Sequence, residues 1–294
     1  MTNSSQLAAI ARLFSSAVLR EMARQGSSAL FARLAREAIA SSNLSAESRV
    51  GGFFDAAFEL FKRIDCRHEY IYKATVTQKI LLGRHSLQTA SMLSEFRIGD
   101  CKADVSILNG TATVYEIKSE RDSLSRLEKQ IETYKSFYAK VYVIAGVNHV
   151  EAIRGMVSDD VGIMILSSRH QITTLREAVD CPERTSPITI FESIRTAEAK
   201  QILELMGVDI PEVPNTQMRA VLREYFVKLS SRDAHTGMVT ILKRTRNLQP
   251  LSALVQSLPR SLHSSVLSVP LRRIDHERLL RAVETPLAQA LCWS

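Results

Sequence analysis

Two alternating runs separated by an Asn-Gly pair constrain this chain more than anything else in it. Residues 103–108 read ADVSIL and residues 113–118 read TVYEIK, with Asn109-Gly110 between them. Period-two alternation in a β-branched, apolar run marks a strand, and Asn-Gly is the strongest short hairpin signal. The pattern predicts that Ala103, Val105 and Ile107 point one way and Asp104, Ser106 and Leu108 the other. On the return strand Val114, Glu116 and Lys118 share a face, and Thr113, Tyr115 and Ile117 share its reverse. Loop length decides which residues meet. A two-residue loop at Asn109-Gly110 sets Asp104 opposite Tyr115 and mixes a charged face with an apolar one. A three-residue loop, Asn109 to Thr111 with Gly110 or a neighbour left-handed, sets Asp104 opposite Glu116. The second register is favoured, because only it keeps each face consistent.

Directly opposed side chains have Cβ atoms roughly 4.5–5.5 Å apart. Two carboxylates held so close repel unless a cation lies between them or one is protonated. A hard divalent ion with oxygen ligands at about 2.0–2.1 Å, such as Mg²⁺, fits that setting. Lys118 follows Glu116 by two residues on the same face, where an ammonium can orient a water or steady developing negative charge. Asp122 and Ser123 are good helix starters. Leu124, Leu127, Ile131, Tyr134 and Tyr138 then form a helical apolar stripe, with Gln130 and Tyr134 four apart on one side.

Asp104, then Glu116-Ile117-Lys118, then Gln130-x-x-x-Tyr134 resembles the PD-(D/E)XK nuclease superfamily, in particular its RecB-like branch. The resemblance covers residues 92–147 and implies a restriction-endonuclease-like αβββαβ core. It implies a phosphodiesterase, most readily a deoxyribonuclease, that uses Mg²⁺ or Mn²⁺ on a nucleic-acid substrate. Asp104 and Glu116 would hold the metal, Lys118 would help activate water, and Gln130 and Tyr134 would line the substrate groove or brace the site. Ala103 stands where the family name has proline, a position that varies within the superfamily. An upstream acid often completes the cluster in this superfamily. Met92–Ile98 reads as a strand hairpinned to the Asp104 strand, so Glu95 is named as the third carboxylate. Gly83-Arg84-His85-Ser86 is a turn ahead of this core, and Arg84 and His85 are candidate phosphate contacts. Glu-x-Lys alone is not specific, since solvated strands often carry it. The other reading of this stretch is an edge hairpin with a charged outer face, or a relative that keeps the fold and binds without cleaving.

The remaining chain supports an α/β fold. Residues 140–147 and 161–166 are short continuous apolar runs of the buried-strand type, so a mixed central sheet of five or six strands is expected. Helical spacing marks 5–40, broken at Gln25-Gly26-Ser27-Ser28, then Ser45 to about Ile64, and Tyr70–Leu82. Glu59 is a weaker alternative acid, and His149 follows a core strand and is a second histidine within reach of the groove. All eight prolines lie at or beyond Pro182. Cys181 to Pro187 therefore reads as a boundary, with helices at 216–229, 234–245, 251–257 and 274–283. The expected organisation is a helical cap (1–68), a nuclease-like core (69–180) and a helical accessory region (181–294).

Composition excludes several classes. The chain has 294 residues, 45% of them hydrophobic and 23% charged, an ordinary globular balance. No run of eighteen apolar residues suggests a membrane span, and the start MTNSSQLAAIARLF lacks the features of a secretory leader. Cys66, Cys101, Cys181 and Cys292 form no Cys-x-x-Cys pair, so neither zinc nor a disulfide framework is indicated, and a cytoplasmic setting is expected. The formal net charge of +7 suits a polyanionic partner. No phosphate-binding Gly-x-x-x-x-Gly-Lys loop and no Gly-x-Ser-x-Gly elbow is present.

Overall fold

The described residues ahead of the first strand are mainly helical. The computed structural model describes residues 10–41, 48–63 and 67–294. The start of the helix expected over 5–40, the Ser45 and Ile64 ends of the next one, and Cys66 lie outside the described residues. Helix α1 (Ser16–Gln25) starts on Ser15, whose Oγ accepts from the Val18 N–H at 3.5 Å. It stops at Gly26, whose φ of 79° lets its N–H turn back to the Met22 carbonyl. That is the break expected between 25 and 28. Helix α2 (Ala29–Ser41) follows. Helix α3 (Val50–Lys62) buries Phe53, Phe54, Ala57 and Phe61 along one stripe. Helix α4 (Glu69–Val76) then runs into a π-helical turn, Thr77–Leu81, where a single regular helix over 70–82 was expected.

Six strands follow: β1 (Ser91–Ile98), β2 (Cys101–Asn109), β3 (Thr111–Lys118), β4 (Lys140–Ala145), β5 (Gly162–Leu166) and β6 (Ile172–Arg176). They form one mixed sheet in the order β1-β2-β3-β4-β5-β6. β3, β4 and β5 are parallel neighbours, and the other pairs are antiparallel. Helix α5 (Leu127–Lys135) makes the β3–β4 crossover and α6 (Val150–Met156) the β4–β5 crossover. Helices α7 (Pro187–Ser193), α8 (Thr196–Leu205), α9 (Asn215–Phe226) and α10 (Ser231–Thr245) come after the sheet. One buried cluster joins them to it: Leu108, Val114, Val141 and Val143 from strands, Ile131 and Tyr138 from the α5 region, and Phe191, Ile202, Phe226 and Met238 from α7–α10.

The hairpin takes the register that keeps its faces consistent. Val105 pairs with Tyr115 and Asn109 with Thr111, with Gly110 at the tip at φ 72°. Continued by one residue, that register sets Asp104 across from Glu116. The alternation itself is corrected at Asp104. Ala103 lies in the same core cluster as Leu108 and Val114, not with Val105 and Ile107. The same inversion occurs across from it on β1, where Leu93 and then Phe96 and Ile98 face that cluster. Glu95, between Ser94↔Val105 and Phe96↔Ala103, has φ 56°. A left-handed residue turns the strand over, and this exchanges its faces.

The chain divides elsewhere than at 68/69 and 180/181. Residues 84–248 form one unit, and residues 1–83 with 249–294 form another. The segment 181–187 is no linker. The Cys181 N–H donates to the Ala139 carbonyl at 3.1 Å, the Ser186 N–H donates to Ser136 at 2.7 Å, and Arg184 ion-pairs with Asp160. Pro187 opens α7 behind the Ser186 cap, where a missing N–H costs nothing. Helices α11 (Ser252–Ser257), α12 (His263–Leu267), α13 (Arg273–Glu284) and α14 (Leu287–Ala290) complete the helical unit. They are tied to its first half by the bonds Val50 N–H to Thr285 O (3.0 Å) and Arg278 Nη1 to Arg24 O (2.7 Å). No helix among the described residues is long and apolar enough to cross a membrane.

Candidate functional site

Strand β3 ends on two charged side chains that point into protein. Glu116 is 2% exposed and Lys118 is 6% exposed. Both lie on the face that α5 covers, because they follow Val114 at period two and the parallel β3–β4 pairing runs unbroken from Thr113 to Lys118. Helix α5 presents Gln130 and Tyr134, one turn apart, toward them.

The four side chains close into a network. Lys118 Nζ donates to Glu116 Oε1 and to Gln130 Oε1, each at 2.9 Å. Gln130 Nε2 donates to the same Glu116 Oε1 at 2.6 Å. The Tyr134 hydroxyl lies 2.9 Å from both Glu116 Oε2 and the Lys102 carbonyl, so its one proton is shared between them. Burial, then the charge and the hydrogen bond of Glu116, hold the Tyr134 phenol far above its ordinary range. It therefore remains a donor. An ammonium has three donors, and Lys118 uses two. Its third has no partner among the described residues.

Asp104 and Glu95 occupy the place where the faces exchange. Asp104 Oδ2 accepts the Ile117 N–H at 2.8 Å and so replaces a rung of the β2–β3 ladder. Glu95 and Asp104 each bring a carboxylate oxygen within 4.8 Å of the other. Among the described residues, Glu116 does not join these two in a group with that mutual spacing. Glu95 also ion-pairs with Lys102, a residue the sequence reading did not single out. Its signal was position: it lies on the same strand, two residues before Asp104. A left-handed glutamate inside a strand costs roughly 1–3 kcal/mol and persists only where its surroundings over-determine it.

Arg84 and His85 are not brought to this site. His85 Nδ1 lies 2.8 Å from Asn109 Nδ2, at the hairpin tip. Asp104 is five residues away along β2, or about 16 Å at the strand rise. The Arg84 charge acts on Tyr115 and Tyr142, which stack at 5.4 Å on the opposite face. Burial and then Arg84 lower the pKa of His85. Asp122 does not cap α5. It accepts from Ser119 N and Ser119 Oγ, both at 2.7 Å, and so folds the chain back after Lys118. His149 precedes α6 and places Nε2 at 3.0 Å from the Ser119 carbonyl, beside the end of β3. Cys101 is structural, with Sγ 3.5 Å from Thr133 Oγ1. Glu59 belongs to the helical unit, where it ion-pairs with Lys62.

Carboxylate oxygens are the ligands a hard divalent cation takes, and Glu95 and Asp104 are the two site acids that stand within 4.8 Å of each other. Glu116 Oε1 accepts two hydrogen bonds and Oε2 one, which leaves one lone pair on Oε2. Asp104, one strand over, and Glu95 beside it supply further carboxylate oxygens.

The bacteriophage P4 protein cII family model matches residues 62–257, a range that contains the whole sheet, Glu95, Asp104, Glu116, Lys118, Gln130 and Tyr134. Protein cII of Enterobacteria phage P4 is 26% identical over 162 residues, covering 53% of this chain and 60% of that protein. The chain thus spans less than two thirds of that relative's length. A solved structure of a protein of unknown function from Silicibacter pomeroyi aligns with a TM-score of 0.28 at 18% identity, over 42% of this chain and 86% of that one. With two thirds of its length matched by the family model, the chain belongs to the bacteriophage P4 protein cII family.

Proposed function

We propose that this protein is a metal-dependent nuclease, with a restriction-endonuclease-like core of the PD-(D/E)XK type, that hydrolyses phosphodiester bonds in DNA. The observation that carries the reading is the closure of Lys118, Gln130 and Tyr134 around the Glu116 carboxylate, with Asp104 on the adjoining strand. Glu116 and Asp104 would hold Mg²⁺ or Mn²⁺, with Glu95 as a third donor. A metal ion bound there polarises the phosphate and offsets charge on the leaving oxygen. Lys118 keeps one N–H proton for a water or a phosphate oxygen. Gln130 fixes the Lys118 ammonium, and Tyr134 fixes the second oxygen of Glu116. Phage defence, mobile-element maintenance and repair are the roles that suit such an activity, in a cytoplasmic setting.

The test is cleavage of plasmid, linear duplex, single-stranded DNA and RNA, with Mg²⁺ or Mn²⁺ and with EDTA. Cleavage of DNA is expected to need the metal and to be lost in Glu116→Ala and in folded Lys118→Ala. Metal-independent cleavage, or cleavage that survives both substitutions, removes this mechanism.

One observation favours a second reading, a binding module that keeps the fold without the chemistry. Glu116 is 2% exposed and already accepts from three donors. Calorimetric titration separates the two: no uptake of Mg²⁺ or Mn²⁺ at millimolar concentration favours the module.

A further inference from the structure

The positive charge of this protein is not spread evenly. Residues 1–83 with 249–294 hold 16 Lys and Arg against 10 Asp and Glu, a net of +6. Residues 84–248, which carry the site described above, hold 22 against 21, a net of +1. The excess that suits a polyanion therefore lies in the helical unit.

Within that unit a cavity of about 300 Å³ is lined by Gln78, Lys79, Leu82, Arg260 and His263. Gln78 and Lys79 lie in the π-helical turn Thr77–Leu81. Such turns insert a residue into a helix and re-aim its side chains, and they occur frequently at functional sites. The facing wall is held in place by Gln78 Nε2, which donates to the Arg260 carbonyl at 2.9 Å. His263 is fixed at the end of that wall by Nε2, 3.1 Å from the Leu258 carbonyl. Neither Lys79 nor Arg260 has a carboxylate partner among the described residues. The acid nearest in effect is Asp55, which accepts the Ser261 hydroxyl at 2.6 Å. Two exposed cations without a carboxylate partner among the described residues, and the Gln78 amide, thus line one cavity together with Leu82. Guanidinium and ammonium together recognise phosphate oxygens.

We propose that this cavity binds a phosphoryl anion, and that in the working protein the anion is a backbone phosphate of nucleic acid. The first half stands independently of cleavage. The second rests on the nuclease reading given above.

The experiment uses the full chain in EDTA, so that no cleavage intervenes. One arm titrates inorganic phosphate calorimetrically at low salt, and the other follows a fluorescein-labelled 20-base-pair duplex by anisotropy across a salt series. The test variant is K79E/R260E. The control, R154E/K200E, makes the same change in net charge on exposed residues of the other unit. Both are checked for unchanged thermal unfolding, with K79Q/R260Q in reserve if the reversal fails to fold. We expect K79E/R260E to weaken duplex binding at least tenfold and to lower the slope of log K against log salt by about 2, as two lost phosphate contacts require. The control should stay within twofold. Phosphate bound without duplex marks a small-anion site, and duplex binding marks a backbone site. Binding of neither probe, or equal binding by both double variants, overturns the proposal. A protein that binds duplex through this cavity but never cleaves it overturns the nuclease reading and leaves the phosphoryl-anion site standing.

Discussion

Lys118 Nζ lies 2.9 Å from Glu116 Oε1, with the two side chains 8% and 2% exposed. Charges so far from water persist only as a pair whose remaining donors and acceptors are also satisfied. Here Gln130 serves both partners, since its Nε2 donates to Glu116 and its Oε1 accepts from Lys118. Tyr134 serves the second carboxylate oxygen. The same four residues that suggest chemistry are thus also a structural unit, and stability measurements report on it directly.

Removing one partner strands the other. Lys118→Met should cost about 3 kcal/mol, because Glu116 then keeps a buried charge with only neutral donors. Adding Glu116→Gln removes that charge and should restore at least half of the loss. Urea unfolding of the two single variants and the double variant gives the coupling directly. Additive losses would mean that the pair is not the interacting unit.

Glu95 is the strained residue of the sheet, at φ 56°. Its ion pair with Lys102 is 41% and 56% exposed and contributes little in water. Glu95→Gly should therefore leave stability unchanged or raise it by about 1 kcal/mol, while Glu95→Ala keeps the strain. If Glu95 helps to hold a metal, Glu95→Gly also weakens Mn²⁺ binding by calorimetry. A Glu95→Gly protein markedly less stable than Glu95→Ala would contradict the strain argument.

His235 gives the sheet unit a pH dependence. It is 3% exposed on α10, and its Nε2 accepts the Ala112 N–H at 3.3 Å. Burial, opposed by Asp180 and assisted by Arg232, lowers its pKa from 6.5 to about 4. The folded state therefore resists protonation that the unfolded chain accepts. This contribution is complete above pH 6.5 and is lost as pH falls from 6.5 toward 4, about 3 kcal/mol in all. Asp160 and Glu198, with lowered carboxyl pKa values, act in the same direction at lower pH. His235→Gln keeps an acceptor but does not titrate. The difference in unfolding free energy between wild type and variant should change by about that amount between pH 7 and pH 4, and a constant difference would exclude the role.

Much of the site was readable because it depends on local periods. Gln130 and Tyr134 lie together because residues four apart share a helix face, and Lys118 lies beside Glu116 because residues two apart share a strand face; that the helix face packs on Glu116 is a tertiary outcome. Asp122 has the sequence marks of a helix start but closes a turn on Ser119, since an acidic residue that caps a turn and one that caps a helix share the same local pattern. Arg84 and His85 are near the core in sequence, yet a strand of nine residues carries its two ends far apart; His85 lies at the hairpin tip, and the Arg84 charge acts on Tyr115 and Tyr142 on the reverse face. The exchange of faces at Glu95 and Asp104 left no mark in the pattern, because a positive φ at a glutamate is imposed from outside.

The sequence by itself determined the hairpin, its register about Gly110, the mixed α/β class and the shared helix face of Gln130 and Tyr134. These follow from short-range sterics and from periodic burial of apolar side chains, whereas the packing of that face on Glu116 is tertiary. Only the tertiary structure decided that the chain's two ends build one helical unit, that residues 181–248 belong with the sheet, and which acids stand together. Those outcomes depend on contacts between residues far apart in the chain, which no local pattern encodes.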